Sequence, residues 1–421
     1  MSSKTLGAAC LVAGTTIGAG MLALPLTISA LGLVGGTAAM VIIWLTMYLA
    51  GLYGLELNLR AGKGLTLGGL GQFFSGPIAR ILGDASLVIL TYALMAAYLF
   101  GGASLLETFL NQYTAANTFH AFSPLAMIVV TIVLILMGNL RWVDHHNRFL
   151  FLIMLAAMIT LILGLGSALY DVNLTAMTSH WQEASVWQVA IPVLFTSFGY
   201  HIIQNTMVIY CDYNANALKK AFFWGSLMPL VAYVAWVLVT LIILYLRAPV
   251  FYQILITQKA ELGQLMQALS EATGHSWLQP VSWIVGLLAI LTSAVGVGLA
   301  IISFWEQHLP ERAAKRPFIL VLALIPPLLI GLFTPGVFIR ALGFAGLILT
   351  IIAIFLPIYL LRESDKQTAN SYPSHSLQAK MSNTEPTYFF YSITTSKFLR
   401  TLVFVIGSGV VVCEVCNICG F

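Results

Sequence analysis

Two short runs of small and hydroxyl residues stand inside otherwise apolar segments. The first is "GTTIGAG", Gly14 to Gly20, within "LVAGTTIGAGMLALP". The second is "TSFG", Thr196 to Gly199, within "IPVLFTSFGYHIIQN". Glycine is a poor helix former and the β-branched residues are mediocre ones, so each run predicts an interrupted helix. An interrupted helix does chemistry with its backbone. The start of the resumed half offers free N–H groups and the positive end of a dipole, which suit a carboxylate. The end of the first half and the unwound carbonyls suit an ammonium group or a cation, so a zwitterion fits both. Thr15, Thr16, Gly18, Ala19 and Gly20 in the first run, and Thr196, Ser197, Phe198 and Gly199 in the second, are therefore candidate binding residues. Gly18 and Gly20 have no Cβ to keep a ligand from the backbone. Small residues also serve close helix packing, and the Gly14-x-x-x-Gly18 spacing fits that as well.

Other polar residues lie in apolar surroundings. Glu56 is an ionisable group within an apolar run, a functional candidate by default, and Arg60 four residues on is its alternative as an ion-pair partner. His201 follows the second run and could titrate near neutral pH, or act as a neutral hydrogen-bonder beside Gln204 and Asn205. Tyr92, in "LTYALMAAYLFGG", either faces a ligand together with Ala96 and Leu99 or packs as an ordinary core residue. Thr292 and Ser293, in "ILTSAVGVG", are mid-segment hydroxyls that can bond between helices. Cys413, Cys416 and Cys419 are spaced by three, but no histidine or further cysteine is near enough in sequence to complete a zinc set. They are expected to be small apolar residues on one helix face, and no metal or cofactor is expected.

The elements that must carry these residues follow from composition. The 421-residue chain is 59% hydrophobic and 8% charged, against roughly 25% charged residues in a soluble domain. Too few charges remain to cover a watery surface, so the chain is expected to be an all-α integral membrane protein with the lipid bilayer as its solvent. About 20 apolar residues span a bilayer. Eleven segments qualify: 7–31, 33–58, 84–110, 124–141, 149–170, 187–210, 217–246, 278–304, 317–334, 337–361 and 398–418. The first resembles a signal peptide because Lys4 precedes it, but ten more follow, so it is expected to remain as a helix. The alternating polarity of membrane strands is absent. Of the 19 Lys and Arg, 16 fall at the N-terminus or in one set of loops, leaving only Arg247, Lys259 and Arg340 elsewhere. The positive-inside rule then places the N-terminus in the cytoplasm and, after eleven spans, the C-terminus outside. The net charge of +4 thus reports topology and not a nucleic-acid partner.

Two longer loops are expected, 247–277 and 362–397, the second polar and of disordered composition. It separates a ten-helix core, 1–361, from an appended eleventh helix, 398–421. The two weak runs sit in the first and sixth spans, at matching places in two five-helix halves, about 1–170 and 187–361. Paired, glycine-interrupted spans are the sequence mark of a transporter with inverted repeats and a midplane site. A receptor or scaffold would leave that pairing without a purpose. A membrane enzyme would need a catalytic constellation, and neither His-Glu-x-x-His nor a P-loop is present.

"GTTIGAGMLALP", "NRFLF" (147–151) and "IPVLFTSFGYH" (191–201) together resemble the bacterial hydroxy/aromatic amino acid permeases, in the tyrosine- and tryptophan-specific branch. The resemblance runs through the first ten spans in order. It implies membership of the amino acid–polyamine–organocation superfamily, a LeuT-type 5+5 inverted repeat with broken helices 1 and 6, and uptake across the bacterial inner membrane. It also implies an aromatic amino acid, foremost L-tyrosine with tryptophan or phenylalanine as alternatives, and proton symport, with sodium as the alternative coupling ion. In the superfamily, hydroxyls on helix 8 face helix 1, which gives Thr292 and Ser293 their place beside Glu56 and His201 as coupling candidates. One departure stands out: relatives often carry a lysine a few residues after "NRFLF", where this chain has Met154 and no lysine.

Overall fold

The computed structural model describes residues 3–113, 122–138, 140–167, 180–310, 312, 315–334, 336–371, 393–394 and 396–420. Helices make up its regular structure, and no strand occurs among the described residues. The first apolar stretch forms α1 (Ser3–Thr16) and α2 (Gly20–Ile28), with Ile17, Gly18 and Ala19 out of the helix between them. A single 3-10 turn, Ser29–Leu31, then leads to α3 (Gly32–Ala61). Gly32 makes that corner at φ 72°, a backbone conformation that side chains with a Cβ rarely adopt. After α4 (Leu67–Phe74) come the long α5 (Pro77–Tyr113), α6 (Phe122–Leu136) and α7 (Leu140–Gly166).

The second weak run behaves like the first. α8 (Ala184–Ser197) runs straight through Pro192 and stops at Ser197. Phe198, Gly199 and Tyr200 leave the helix, a 3-10 turn covers His201–Ile203, and α9 (Gln204–Tyr210) resumes. The breaks are narrower than the weak sequence runs, because Thr15, Thr16, Thr196 and Ser197 are still helical. α10 (Ala215–Arg247) follows, and then the expected loop 247–277, which is largely helical: α11 (Pro249–Ile256) and α12 (Leu262–Ala272). α12 begins with a reciprocal capping box between Glu261 and Gln264, which explains a helix in a stretch too short and polar to span. The chain continues through α13 (Leu278–His308), α14 (Arg316–Leu332) and α15 (Val337–Thr350). One π-helical turn, Ile351–Phe355, joins α15 to α16 (Leu356–Ser371), and α17 (Lys397–Cys419) closes the chain. The expected polar loop 362–397 therefore begins as helix through Ser371, and most of its remainder, 372–392, lies outside the described residues.

Among the described residues, eight helical runs are long and apolar enough to cross a membrane. One of them, Gly20–Ala61, combines the second half of the first expected span with the second span. The expected spans 124–141 and 317–334 fall on the shorter apolar helices Ser123–Leu136 and Arg316–Leu332. The chain is thus a multi-pass, all-helical membrane protein. Trp142 and Trp181 are exposed, as interface anchors would be.

The packing centres on the broken helices. α1 lies along α10, α2 along α8, and α8 along α15, while α5 is held by α12, α13, α14 and α15. α15 comes so close to α8 that a Cβ on Gly346 would stand 2.2 Å from the Pro192 carbonyl oxygen and 3.0 Å from Thr196 Oγ1. One face of α17 packs on α8 and α15.

The Gly346 contact gives a test of this arrangement. Gly346→Ala forces backbone apart just before the second break, and overpacking of this kind costs about 1–3 kcal/mol. The purified variant is expected to unfold at a lower temperature than the parent in the same detergent. An unchanged midpoint would show that α8 and α15 are not packed backbone to backbone there.

Candidate functional site

The two breaks meet. α2 starts against the end of α8, where a Cβ on Gly20 would lie 3.1 Å from both Cα and Oγ of Ser197. The Ser197 hydroxyl, 2.9 Å from the Val193 carbonyl oxygen in its own helix, also reaches the Gly20 carbonyl at 3.3 Å. On the far side of the first break, a Cβ on Gly18 would lie 2.4 Å from Ser293 Oγ of α13. The Ala19 N–H donates to that same oxygen at 2.9 Å. The N–H groups of Gly18 and Gly20 have no backbone acceptor among the described residues. This is the expected condition at the first turn of a helix.

The carbonyl ends of the two leading half-helices converge on one side chain. Tyr233, in the middle of α10 and fully buried, sets its hydroxyl 2.6 Å from the carbonyl oxygen of Thr16 and 3.0 Å from that of Ser197. Thr16 ends α1 and Ser197 ends α8, so one O–H serves the last carbonyls of both. One turn on, the Trp236 indole N–H donates to the Met21 carbonyl at 3.1 Å. The Phe198 ring packs edge-to-face on Tyr233 with centroids 5.3 Å apart. Tyr98 of α5 lies beside the Ser293 side chain and near Tyr233. Negative helix ends, free N–H groups and an aromatic wall therefore share one buried centre.

Most of the sequence candidates lie on the breaks, with differing exposure. Gly18, Ala19, Gly20, Ser197, Phe198 and Ser293 line the junction itself. Thr16 is buried, with its hydroxyl on Val12 of its own helix, and contributes its carbonyl. Thr15 is exposed and bonds Leu11. Thr196 donates to the Leu342 carbonyl at 2.7 Å, and a Cβ on Gly199 would lie 2.8 Å from Leu349 Cδ2, so both face α15. Thr292 turns back onto Leu288 in its own helix. Tyr92 is engaged elsewhere, 2.9 Å from the Leu322 carbonyl and 3.2 Å from Trp305 Nε1. Met154 is buried in the core.

His201 and Glu56 stand further off. The His201 ring is buried and stacked on Tyr200 at 4.8 Å, and neither ring nitrogen has a hydrogen-bond partner in good geometry. The same segment grips α3, with the Tyr200 hydroxyl 3.2 Å from the Met47 carbonyl and Gln204 Nε2 3.1 Å from that of Gly51. Glu56 pairs with Arg60 at 2.9 Å, Arg60 with Asp365 at 2.7 Å, and Asp365 with Arg400 at 2.9 Å. This chain of charges ties α3, α16 and α17 together. Lys4 at the start of α1 pairs with Asp212, just past α9, linking the two remaining half-helices. Cys413, Cys416 and Cys419 are free thiols, and no group of metal-ligating side chains occurs among the described residues.

Tyr233, Trp236 and Tyr98 were not among the sequence candidates. A signal was available for Tyr233: it sits at mid-helix in an apolar run, where a buried phenol needs a hydrogen-bond partner. Removing it should be costly. Tyr233→Phe strips the partner from two buried carbonyls and is expected to lower stability by about 1–3 kcal/mol. Thr15→Val, which loses only an exposed bond within its own helix, is expected to stay within about 0.5 kcal/mol of the parent. Denaturation in detergent compares the two, and equal effects would deny Tyr233 its bridging role.

Comparison with known proteins places the chain in a family. The model of the tryptophan/tyrosine permease family matches residues 1–376. Tyrosine-specific transport system 1 of Haemophilus influenzae is 36% identical over 373 residues, which cover 87% of this chain and 90% of that protein. Tyrosine-specific transport system 2 of the same organism is 33% identical over 371 residues, covering 86% and 88%. The tryptophan-specific transport protein of that organism is 27% identical over 374 residues, covering 86% and 88%. With a family match across most of its length and two relatives above 30% identity, this chain belongs to the tryptophan/tyrosine permease family.

Proposed function

We propose that this permease imports L-tyrosine across the bacterial inner membrane by proton symport, with alternating access around the joined helix breaks. The observation that carries the reading is the convergence on Tyr233 of two helix carbonyl ends beside unpartnered N–H groups at the start of α2. The N–H groups of Gly18 and Gly20 would take the carboxylate, and the carbonyl ends of α1 and α8 the ammonium group. Phe198, against Tyr233, would cover the aromatic ring. The higher identity to the two tyrosine-specific relatives than to the tryptophan-specific one favours tyrosine.

The reading includes an architecture of eleven spans, ten of them in a 5+5 inverted repeat of residues 1–361. Exchanging the halves turns span 5 on span 8 into span 10 on span 3. Both pairs pack extensively here, as α7 on α13 and α15 on α5. The half-helices also pair off, α2 with α8 and α1 with α9, as rocking around a central site requires. The basic residues favour a cytoplasmic N-terminus, with Arg60, Asp365 and Arg400 at the inner end and the C-terminus in the periplasm. Proton coupling is favoured over sodium because the Ser293 oxygen already accepts the Ala19 N–H and the Thr292 hydroxyl bonds its own helix. A cation there would be left with only the second lone pair of one hydroxyl. Glu56 and His201 remain the core residues proposed to carry the proton.

Proteoliposomes containing the full chain test this directly. Labelled L-tyrosine is expected to accumulate under an imposed inward proton gradient and to do so unchanged when choline replaces sodium. Accumulation that requires sodium, or a panel of amino acids in which tyrosine is not preferred, would overturn the coupling or the substrate respectively. Phe198→Ala is expected to raise the tyrosine KM about three- to tenfold through the lost ring contact, with less effect on any small amino acid transported. An equal loss across substrates would mark Phe198 as structural only.

A further inference from the structure

The residues by which α17 docks recur every three or four positions: Arg400, Val403, Gly407, Val410 and Glu414. Three are small or apolar, and the two ends are charged types lying about 21 Å apart along the helix. The two ends are treated differently. Arg400 has a counter-charge in Asp365 and donates to the Thr394 carbonyl. Glu414 is 1% exposed and has no ion pair among the described residues. Its hydrogen-bond partner is the Asn417 amide on its own helix, 3.4 Å from Oε2. The carboxyl group presses on α15 where Gly343 leaves room: a Cβ there would be 2.6 Å from Oε2.

The surroundings supply no counter-charge. α8, the element packed most closely on α17, carries no charged residue. α15 carries one, Arg340, which is exposed, a turn nearer the helix end than Gly343, and not paired with Glu414. Glu56 and Arg60 of α3 belong to the charge chain at the opposite end. An ionised carboxylate sealed away from water without a partner is strongly disfavoured, whereas a neutral acid with one amide neighbour is tolerated. The helix that carries Glu414 packs on α8, the half-helix that ends at the central break, so movement of α8 would shift the seam and change the access of Glu414 to water.

The geometry points to Glu414 as a proton-binding site in the seam between α17, α8 and α15, filled in this conformation and exchanging with water when the seam opens. The site lies past the matched family segment, which ends at residue 376. The side on which the proton leaves, the periplasmic one, rests on the orientation proposed above; the site itself does not.

Infrared difference spectroscopy on the full chain in lipid nanodiscs tests this without transport. Glu414→Gln has the shape of the neutral acid and is expected to fold. The parent is expected to show a protonated-carboxyl stretch at neutral pH that is lost in Glu414→Gln, shifts down in D2O and fades reversibly as pH rises. Asn417→Ala is expected to move the band without abolishing it. No Gln-sensitive band at neutral pH would mean that Glu414 is ionised, and a band that neither exchanges in D2O nor responds to pH would mean a sealed structural acid. Either result overturns the proposal. Because uptake is not measured, its failure stays distinct from failure of the transport reading.

Discussion

A helix that stops in the middle of a membrane protein frees carbonyl groups that no water can serve, and each costs several kcal/mol if left bare. Here two helices stop, and Tyr233 meets the last carbonyls of both with a single hydroxyl. That phenol can stand there because α10 is long, apolar and packed along α1, which puts the middle of one helix opposite the end of the other. The second half of the second break is held to α3 by Tyr200 and Gln204, and that of the first by other means. Ser293 takes the Ala19 N–H, and Trp236 donates to Met21. The protein thus secures the frame of the junction while leaving the Gly18 and Gly20 amides uncommitted.

Close packing and ligand binding compete as explanations of the glycines, and the packing is visible in the structure. Gly18 is small because Ser293 lies against it, and Gly20 because Ser197 does. A larger residue at either place would push apart the helices that form the junction. The same economy appears where α15 meets α8 at Gly346 and where α17 meets α15 at Gly343. α2 and α15 each meet α8 at a missing Cβ, and α17 meets α15 at another. A small displacement of α8 would therefore be felt by α2, α15 and α17 together, which is how rigid packing carries a local event across a fold.

Sequence reasoning located both breaks because glycine and β-branched residues announce themselves in an apolar run. It set their edges too wide, since a threonine or serine can stay helical by bonding its own backbone, as Thr16 does with Val12 and Ser197 with Val193. Helices inside the expected loops were not legible at all: α12 depends on a capping box, and α16 runs on past the apolar segment to Ser371. Tyr98 and Tyr92 lie on one helix, and spacing alone could not tell which of them lies beside Ser293. Glu414 has no mark in the sequence, because its burial comes from tertiary packing of the last helix.

The central claim is that the joined breaks form the substrate site, and a structure of the full chain with L-tyrosine bound tests it most directly. The account predicts the substrate carboxylate within about 3 Å of the Gly18 or Gly20 amide nitrogen, with the ring against Phe198. The alternative location is already visible: a cavity of about 300 Å³ near the far end of α5, lined by Phe100, Ser104, Glu107, Glu261 and Phe338. Tyrosine seated in that cavity, with the junction still closed and unoccupied at saturating substrate, would contradict the account.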